Sequence, residues 1–384
     1  MGRKLAACHG QRAAVLQALT IDFLKQMNKI THSLLKATAV LPLALLTCLL
    51  TACNSGKKTQ SEQTNDEAIE LVGPTFNQDS ALHFCGRQCA FGPRTMNSPA
   101  HDECEEWIVK RFKQYGCDVT TQKTKLEGWD GKLLRSTNII ARTNPEAAER
   151  ILICAHWDSR PWADNDPDSA NWHTPVMAAN DGASGVAVML ELARCINEAA
   201  KNGGSNGNNA KPLSYGIDFV CFDAEDYGAP DWSGLKDTED TWALGAQFFA
   251  KNLPESTAKG SANSPTKYTL GILLDMVGGQ GAHFYYEGLS TKYAKETMEQ
   301  VWQAASNAGY SSYFLPQDGF TVTDDHKPLN EAGIPTIDII PYYPDCEQSG
   351  FGPTWHTVND DMDNIDAATL KAVGQSLIQF LYTR

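Results

Sequence analysis

Five short apolar runs, interspersed with helix-length amphipathic segments, constrain this chain most. Residues 137–141, 151–155, 215–222, 270–274 and 336–340 are rich in Ile, Val, Leu and Phe and alternate little with polar residues. A strand exposed on one face would alternate, so these runs read as strands buried on both faces. Helical periodicity appears before, between and after them, at 101–115, 183–200, 239–251, 291–308 and 368–381. Strands that alternate with helices predict an α/β fold, a three-layer α/β/α sandwich around a central twisted, mostly parallel mixed sheet. The Gly- and Asn-rich stretch 202–211 reads as a surface loop. The insert 159–180 is longer than an ordinary turn, and long loops at strand C-termini commonly build clefts.

Residues 1–52 read as a leader, with a signal peptide over 27–52. Lys29 and Lys36 give it a basic start, and the apolar run 37–50 is shorter than the roughly 20 residues that span a bilayer. Leu50, Thr51, Ala52 and Cys53 resemble a bacterial lipobox, which makes Cys53 the expected lipid-bearing residue. Residues 53–68 are polar and read as a tether, leaving 69–384 as a single catalytic domain held at a membrane by lipid alone. The expected location is an exported lipoprotein on a periplasm-facing outer membrane. The chain carries 46 Asp+Glu against 32 Lys+Arg, a net charge of −14, which argues against nucleic-acid partners. Cys154, Cys195 and Cys221 sit in apolar patterns as small hydrophobes, and a structural role is expected for Cys85 and Cys89, with disulfide bonding open.

Several of these runs end in chemistry. His156 and Asp158 close the run at 151, and Asp223, Glu225 and Asp226 close the one at 215. Asp275 closes the run at 270, while Asp181 stands in a Gly-rich turn ahead of a helix. Asp324 precedes another helix, and Trp355 and His356 lie in a late loop. Parallel strands place their C-terminal ends on one rim, so these carboxylates and imidazoles would gather around a zinc ion there. Each has a plainer reading taken singly: Asp181 as a helix cap, the 223–226 acids as a solvated turn, Asp275 and Asp324 as acceptors for loop amides, Trp355 and His356 as an ordinary buried loop. As a set they point to Asp181, Asp226 and His356 as metal ligands and Glu225 as the group that moves a proton.

The series His156 to Arg160, Ala179 to Gly185, Asp223 to Gly228 and Trp355–His356 resembles the zinc-dependent glutaminyl-peptide cyclotransferases of the animal-like class, in their bacterial lipoprotein branch, within the M28 aminopeptidase-like fold. The resemblance runs from about residue 89 to 384. It implies one zinc per chain on Asp181, Asp226 and His356, with Asp226 standing where animal relatives carry glutamate. It implies Glu225 as proton-transfer residue, Asp275 and Asp324 as a hydrogen-bonded catalytic pair, and Phe351, Trp355 and Trp232 as substrate-binding aromatics. The implied reaction converts N-terminal glutamine of peptides or proteins to pyroglutamate with release of ammonia. Dizinc aminopeptidases of the same fold use the equivalents of His156, Asp181, Asp226, Asp275 and His356 for two ions, so exopeptidase activity is the alternative. A non-catalytic surface binding module is a weaker one. The natural substrates and oligomeric state are open, with a monomer expected.

Overall fold

The computed structural model describes residues 71–202, 211–258, 261 and 264–384, so the leader, Cys53, the tether and most of the 202–211 loop lie outside the described residues. Six strands make the main sheet: β1 (Asp118–Glu127), β2 (Leu133–Arg142), β3 (Arg150–His156), β4 (Gly216–Phe222), β5 (Tyr268–Leu274) and β8 (Thr336–Ile339). Their order is β1-β2-β4-β3-β5-β8. The first two pairings are antiparallel, and those of β4 with β3, β3 with β5 and β5 with β8 are parallel. β6 (Phe284–Tyr286) and β7 (Phe314–Asp318) form a separate parallel pair.

The unalternating apolar runs have a direct cause. In β3, Ile151, Ile153 and Ala155 enter the larger core while Leu152 and Cys154 enter a second core on the opposite face. The larger core is closed by α1 (Gln78–Cys89), α2 (Pro99–Tyr115), α3 (Ala183–Lys201), α5 (Gly288–Asn307) and α7 (Ala367–Thr383). The smaller is closed by α4 (Leu244–Lys251) and α6 (His326–Glu331). Helices on both faces give the expected three layers. α3 is buried almost all round, because it packs on β3 and is overlaid by α1 and α7. Among the described residues no helix is long and apolar enough to cross a membrane.

The sequence reading needs correction or completion in places. The helix expected over 239–251 is broken: Glu239–Thr241 forms a 3-10 turn, Ala243 has φ of 55°, and only then does α4 begin. The break occurs because the amides of Ala243 and Leu244 bond back to the carbonyls of Glu225 and Ala224 at 3.2 and 3.1 Å. β1, β6, β7 and α1 also lie outside the elements read from the sequence. All eight cysteines among the described residues are free, and Cys154, Cys195 and Cys221 are buried.

Because β3, β4 and β5 run parallel, His156, Glu225, Asp226 and Asp275 emerge on one rim of the sheet. β4 lies to one side of β3 and β5 to the other, so the chain reverses its direction across the sheet at β3. Such a reversal leaves a crevice beyond the strand ends.

Candidate active site

His156 ends β3 with its Nε2 2.9 Å from Asp181 Oδ1 and 3.3 Å from Asp275 Oδ1. Asp181 reaches this position because Asp360 accepts the backbone amides of Asn180 and Asp181 at 2.7 and 3.1 Å. The next residue is necessarily glycine, since a Cβ on Gly182 would run into the His156 ring. After β4 the chain turns through Ala224, with φ of 55°, and Asp158 receives the amides of Glu225 and Asp226 at 3.1 and 3.2 Å. Met276 and His356 also have positive φ, at 49° and 54°. Left-handed conformations of non-glycine residues are unfavourable, and their concentration here is typical of a functional rim.

His356 is held from one side and offered to the other. Its Nδ1 lies 3.3 Å from Asp164 Oδ1, and Asp164 is itself gripped by the Arg160 guanidinium, whose Nε donates at 2.6 Å. Its Nε2 faces Asp226 Oδ1 at 3.3 Å and Asp181 Oδ2 at 3.6 Å. The imidazole stacks on Trp355 at 3.8 Å between centroids and lies parallel to Trp242 at 5.9 Å. The 159–180 insert pins this loop: Asn165 donates its backbone amide to His356 O at 3.0 Å and its side-chain amide to Trp355 O at 3.1 Å.

These residues fit a cation. Asp181, Asp226 and His356 each offer a donor atom within 4.8 Å of the others, as do His156, Asp181 and Asp275. Asp226 is 1% exposed, yet neither of its carboxylate oxygens has a hydrogen-bond partner. Burying an unpartnered carboxylate is costly without a counter-charge. The buried Arg160 guanidinium lies 3.5 Å from Asp226 Oδ1, yet burial and then the Asp181 charge still push the Asp226 carboxyl up to about 6. An imidazole with its far nitrogen on a carboxylate, facing two more carboxylates, is a zinc-type donor set with an outer support.

A cavity of about 440 Å³ opens over this group, lined among others by Asp181, Glu225, Trp242, Asp275, Asp324, Phe351, Trp355 and His356. Burial and then the Asp324 charge hold the Glu225 carboxyl well above the usual range, while burial, Asp181 and Asp324 raise Asp275 to about 7. Phe351 packs on Trp355 at 4.6 Å between ring centroids. Trp232 does not line the cavity: it is 37% exposed and stacks on Trp172 at 5.9 Å. Trp242 stands in the wall instead, brought there by the break ahead of α4. Sequence reasoning also passed over Arg160, Asp164 and Asp360 as supports. In the sequence they resemble any other charges in long loops.

The crevice, the shared rim and the donor groups define a metal-dependent α/β scaffold, and the chain belongs to peptidase family M28, which matches residues 138–381. It is similar to the glutaminyl cyclase of Bacteroides thetaiotaomicron, solved with bound N-acetylhistamine, with 43% identity, 81% of this chain and 99% of that one covered, and a TM-score of 0.73. Aminopeptidase YwaD of Bacillus subtilis is 27% identical over 72% of this chain, and the glutaminyl-peptide cyclotransferase of Boiga irregularis is 27% identical over 64%. The chain spans 50% and 64%, respectively, of the lengths of these two relatives.

Proposed function

We propose that this chain is a zinc-dependent glutaminyl-peptide cyclotransferase, which converts N-terminal glutamine of peptides or proteins to pyroglutamate and releases ammonia. The observation that carries the reading is a three-donor metal group beside a separate Glu225, whose carboxyl burial and Asp324 hold above its usual range, in one aromatic-walled cavity. Its similarity to a bacterial glutaminyl cyclase across 99% of that chain supports it. Asp181, Asp226 and His356 would hold one zinc ion, which when bound supplies a Lewis acid for the side-chain carbonyl of glutamine. Glu225 takes a proton from the attacking α-amine and returns it to the departing amide nitrogen. The new bond joins that amine to the side-chain carbonyl carbon, and the carbon–nitrogen bond of the carboxamide breaks as ammonia leaves. Phe351, Trp355 and Trp242 hold the side chain folded toward its own amine and restrict water. Asp275 and Asp324 line the wall beside Glu225, and burial raises both carboxyls above their usual range.

The paired donor groups sharing Asp181, with the similarity to YwaD, favour a dizinc aminopeptidase as the second reading. Incubating purified, zinc-loaded protein with a Gln-peptide and a Leu-peptide separates the readings. Ammonia with an intact, lactam-ended peptide is expected; free leucine would favour the aminopeptidase, and neither product would leave a binding module.

The reading extends to an exported monomer on a periplasm-facing outer membrane, with Cys53 lipidated and 69–384 as the single catalytic domain. The lipobox-like residues ending at Cys53 support it. Palmitate labelling in a diderm bacterium is expected to disappear in Cys53→Ser, and unchanged labelling would remove the anchor from the proposal.

A further inference from the structure

The turn that carries Glu225 and Asp226 is held from outside the cavity by a side chain with no part in the cyclisation described above. His101 stands in the first turn of α2, where its backbone amide donates to the Ser98 hydroxyl at 3.1 Å. Its side chain is buried, and Nε2 lies 2.8 Å from Asp223 Oδ1. Asp223 directly follows β4 and is buried as well. Its Oδ1 accepts the amide of Ala224 at 3.0 Å and its Oδ2 the amide of Thr137 at 2.6 Å. Its own amide donates to Asn138 Oδ1 at 3.1 Å. Both carboxylate oxygens already accept, so the imidazole proton that faces them sits on Nε2.

The second holder of the turn is Asp158, which accepts the amides of Glu225 and Asp226. The His101 ring stacks on Trp157, the residue before it, at 4.1 Å between centroids and 25° between planes. Trp157 is itself fixed by its amide on Phe222 O at 3.0 Å and its indole N–H on Thr137 O at 3.1 Å. One side chain of α2 therefore touches Asp223 with its edge and the neighbour of Asp158 with its face. Ala224 lies between these anchors with φ of 55°, a conformation that persists in a non-glycine residue when the surroundings fix it.

We propose that His101 is a positioning residue for this site. Through Asp223 and Trp157 it fixes the turn at Ala224, and with it the placing of Glu225 on the cavity wall and of Asp226 in the metal group. The imidazole supplies one directed N–H and one flat face, and substitution separates the two. His101→Phe keeps the face and removes the N–H, whereas His101→Gln removes the face and keeps an N–H.

The catalytic readout rests on the cyclotransferase reading; zinc affinity and ring protonation do not. In zinc-saturated protein, kcat for a Gln-peptide is expected to fall about 10–100-fold in His101→Phe, with KM near that of the parent, and His101→Gln is expected to recover most of the loss. Zinc affinity, measured by competition with a chelator, is expected to fall about 10-fold in His101→Phe. A purely structural role would lower the melting temperature and leave both kcat and zinc affinity of the folded protein unchanged, which overturns the proposal. So does a His101→Gln variant no better than His101→Phe. If the parent leaves Gln-peptides unchanged, the cyclotransferase reading fails and zinc affinity decides the positioning. Should His101→Phe fail to fold, the parent decides: nitrogen spectra of histidine-labelled protein are expected to show His101, assigned through its contact with Trp157, protonated on Nε2, and a ring protonated on Nδ1 alone overturns the proposal.

Discussion

Glu225 and Asp226 are neighbours with different assignments, and their surroundings separate them. The left-handed turn at Ala224 directs Asp226 toward His356 and leaves Glu225 on the cavity wall. Replacing the acid by its amide isostere keeps the shape and removes the proton carrier. Glu225→Gln is therefore expected to retain zinc while kcat/KM for a Gln-peptide falls by about 10²–10⁴-fold; near-normal turnover would remove Glu225 from the role. For Asp226 the argument concerns competition. Burial and Asp181 hold its proton up to about pH 6, and a cation must displace that proton. Zinc affinity, measured against a chromophoric chelator, is expected to fall as pH drops below about 6 and to flatten above it. At this scale much of the site was legible, since His156, Asp181, Glu225, Asp226, Asp275, Asp324 and His356 all converge on one rim. Trp232 was not, because spacing after the acidic pair says nothing about where residues 228–242 fold back. The two backbone bonds that bring Trp242 inward come from amides, and any sequence has amides.

Among the elements, the strands buried on both faces announced themselves, while the hairpin strand β1 did not. It pairs with β2 alone, its residues alternate between exposed and half-buried, and Asp118–Glu127 is mostly Thr, Lys and Gln. An edge strand of that composition resembles a loop in sequence. α1 escaped notice for a similar reason: its polar face is as large as its apolar one, and its place on α3 is a tertiary fact. The first turn of α3 shows the opposite situation, where a local sequence feature has a close tertiary reason. A Cβ at Gly185 would strike the Leu274 carbonyl of β5 and come within 2.8 Å of the Ala155 Cβ. Gly185→Ala is expected to push helix from sheet and cost about 1–3 kcal/mol, read from the urea midpoint, despite alanine's better helix propensity. A variant as stable as the parent would mean that α3 has room to shift.

For the molecule as a whole, the buried acids of the rim link metal content to stability. Asp181, Asp226, Asp275, Asp324, Asp338 and Asp360 are each less than 9% exposed, and Asp226 and Asp338 have no hydrogen-bond partner for either oxygen. Removing metal with a chelator leaves that charge to protons or to repulsion. The melting temperature is expected to fall on chelation and to rise with added zinc. Zinc at 100 times its dissociation constant adds about 2.7 kcal/mol per site. A melting temperature independent of zinc would show that the carboxylates are neutralised otherwise.

The indoles of Trp355 and Trp242, both close to parallel with the His356 ring, have an optical consequence. Both chromophores lie against a ring whose charge changes as an ion arrives, so their excited states feel the arrival directly. Loading of the centre should therefore shift the ultraviolet emission of the unlabelled chain, and substituting Phe for Trp355 should diminish that signal while the other tryptophans continue to glow.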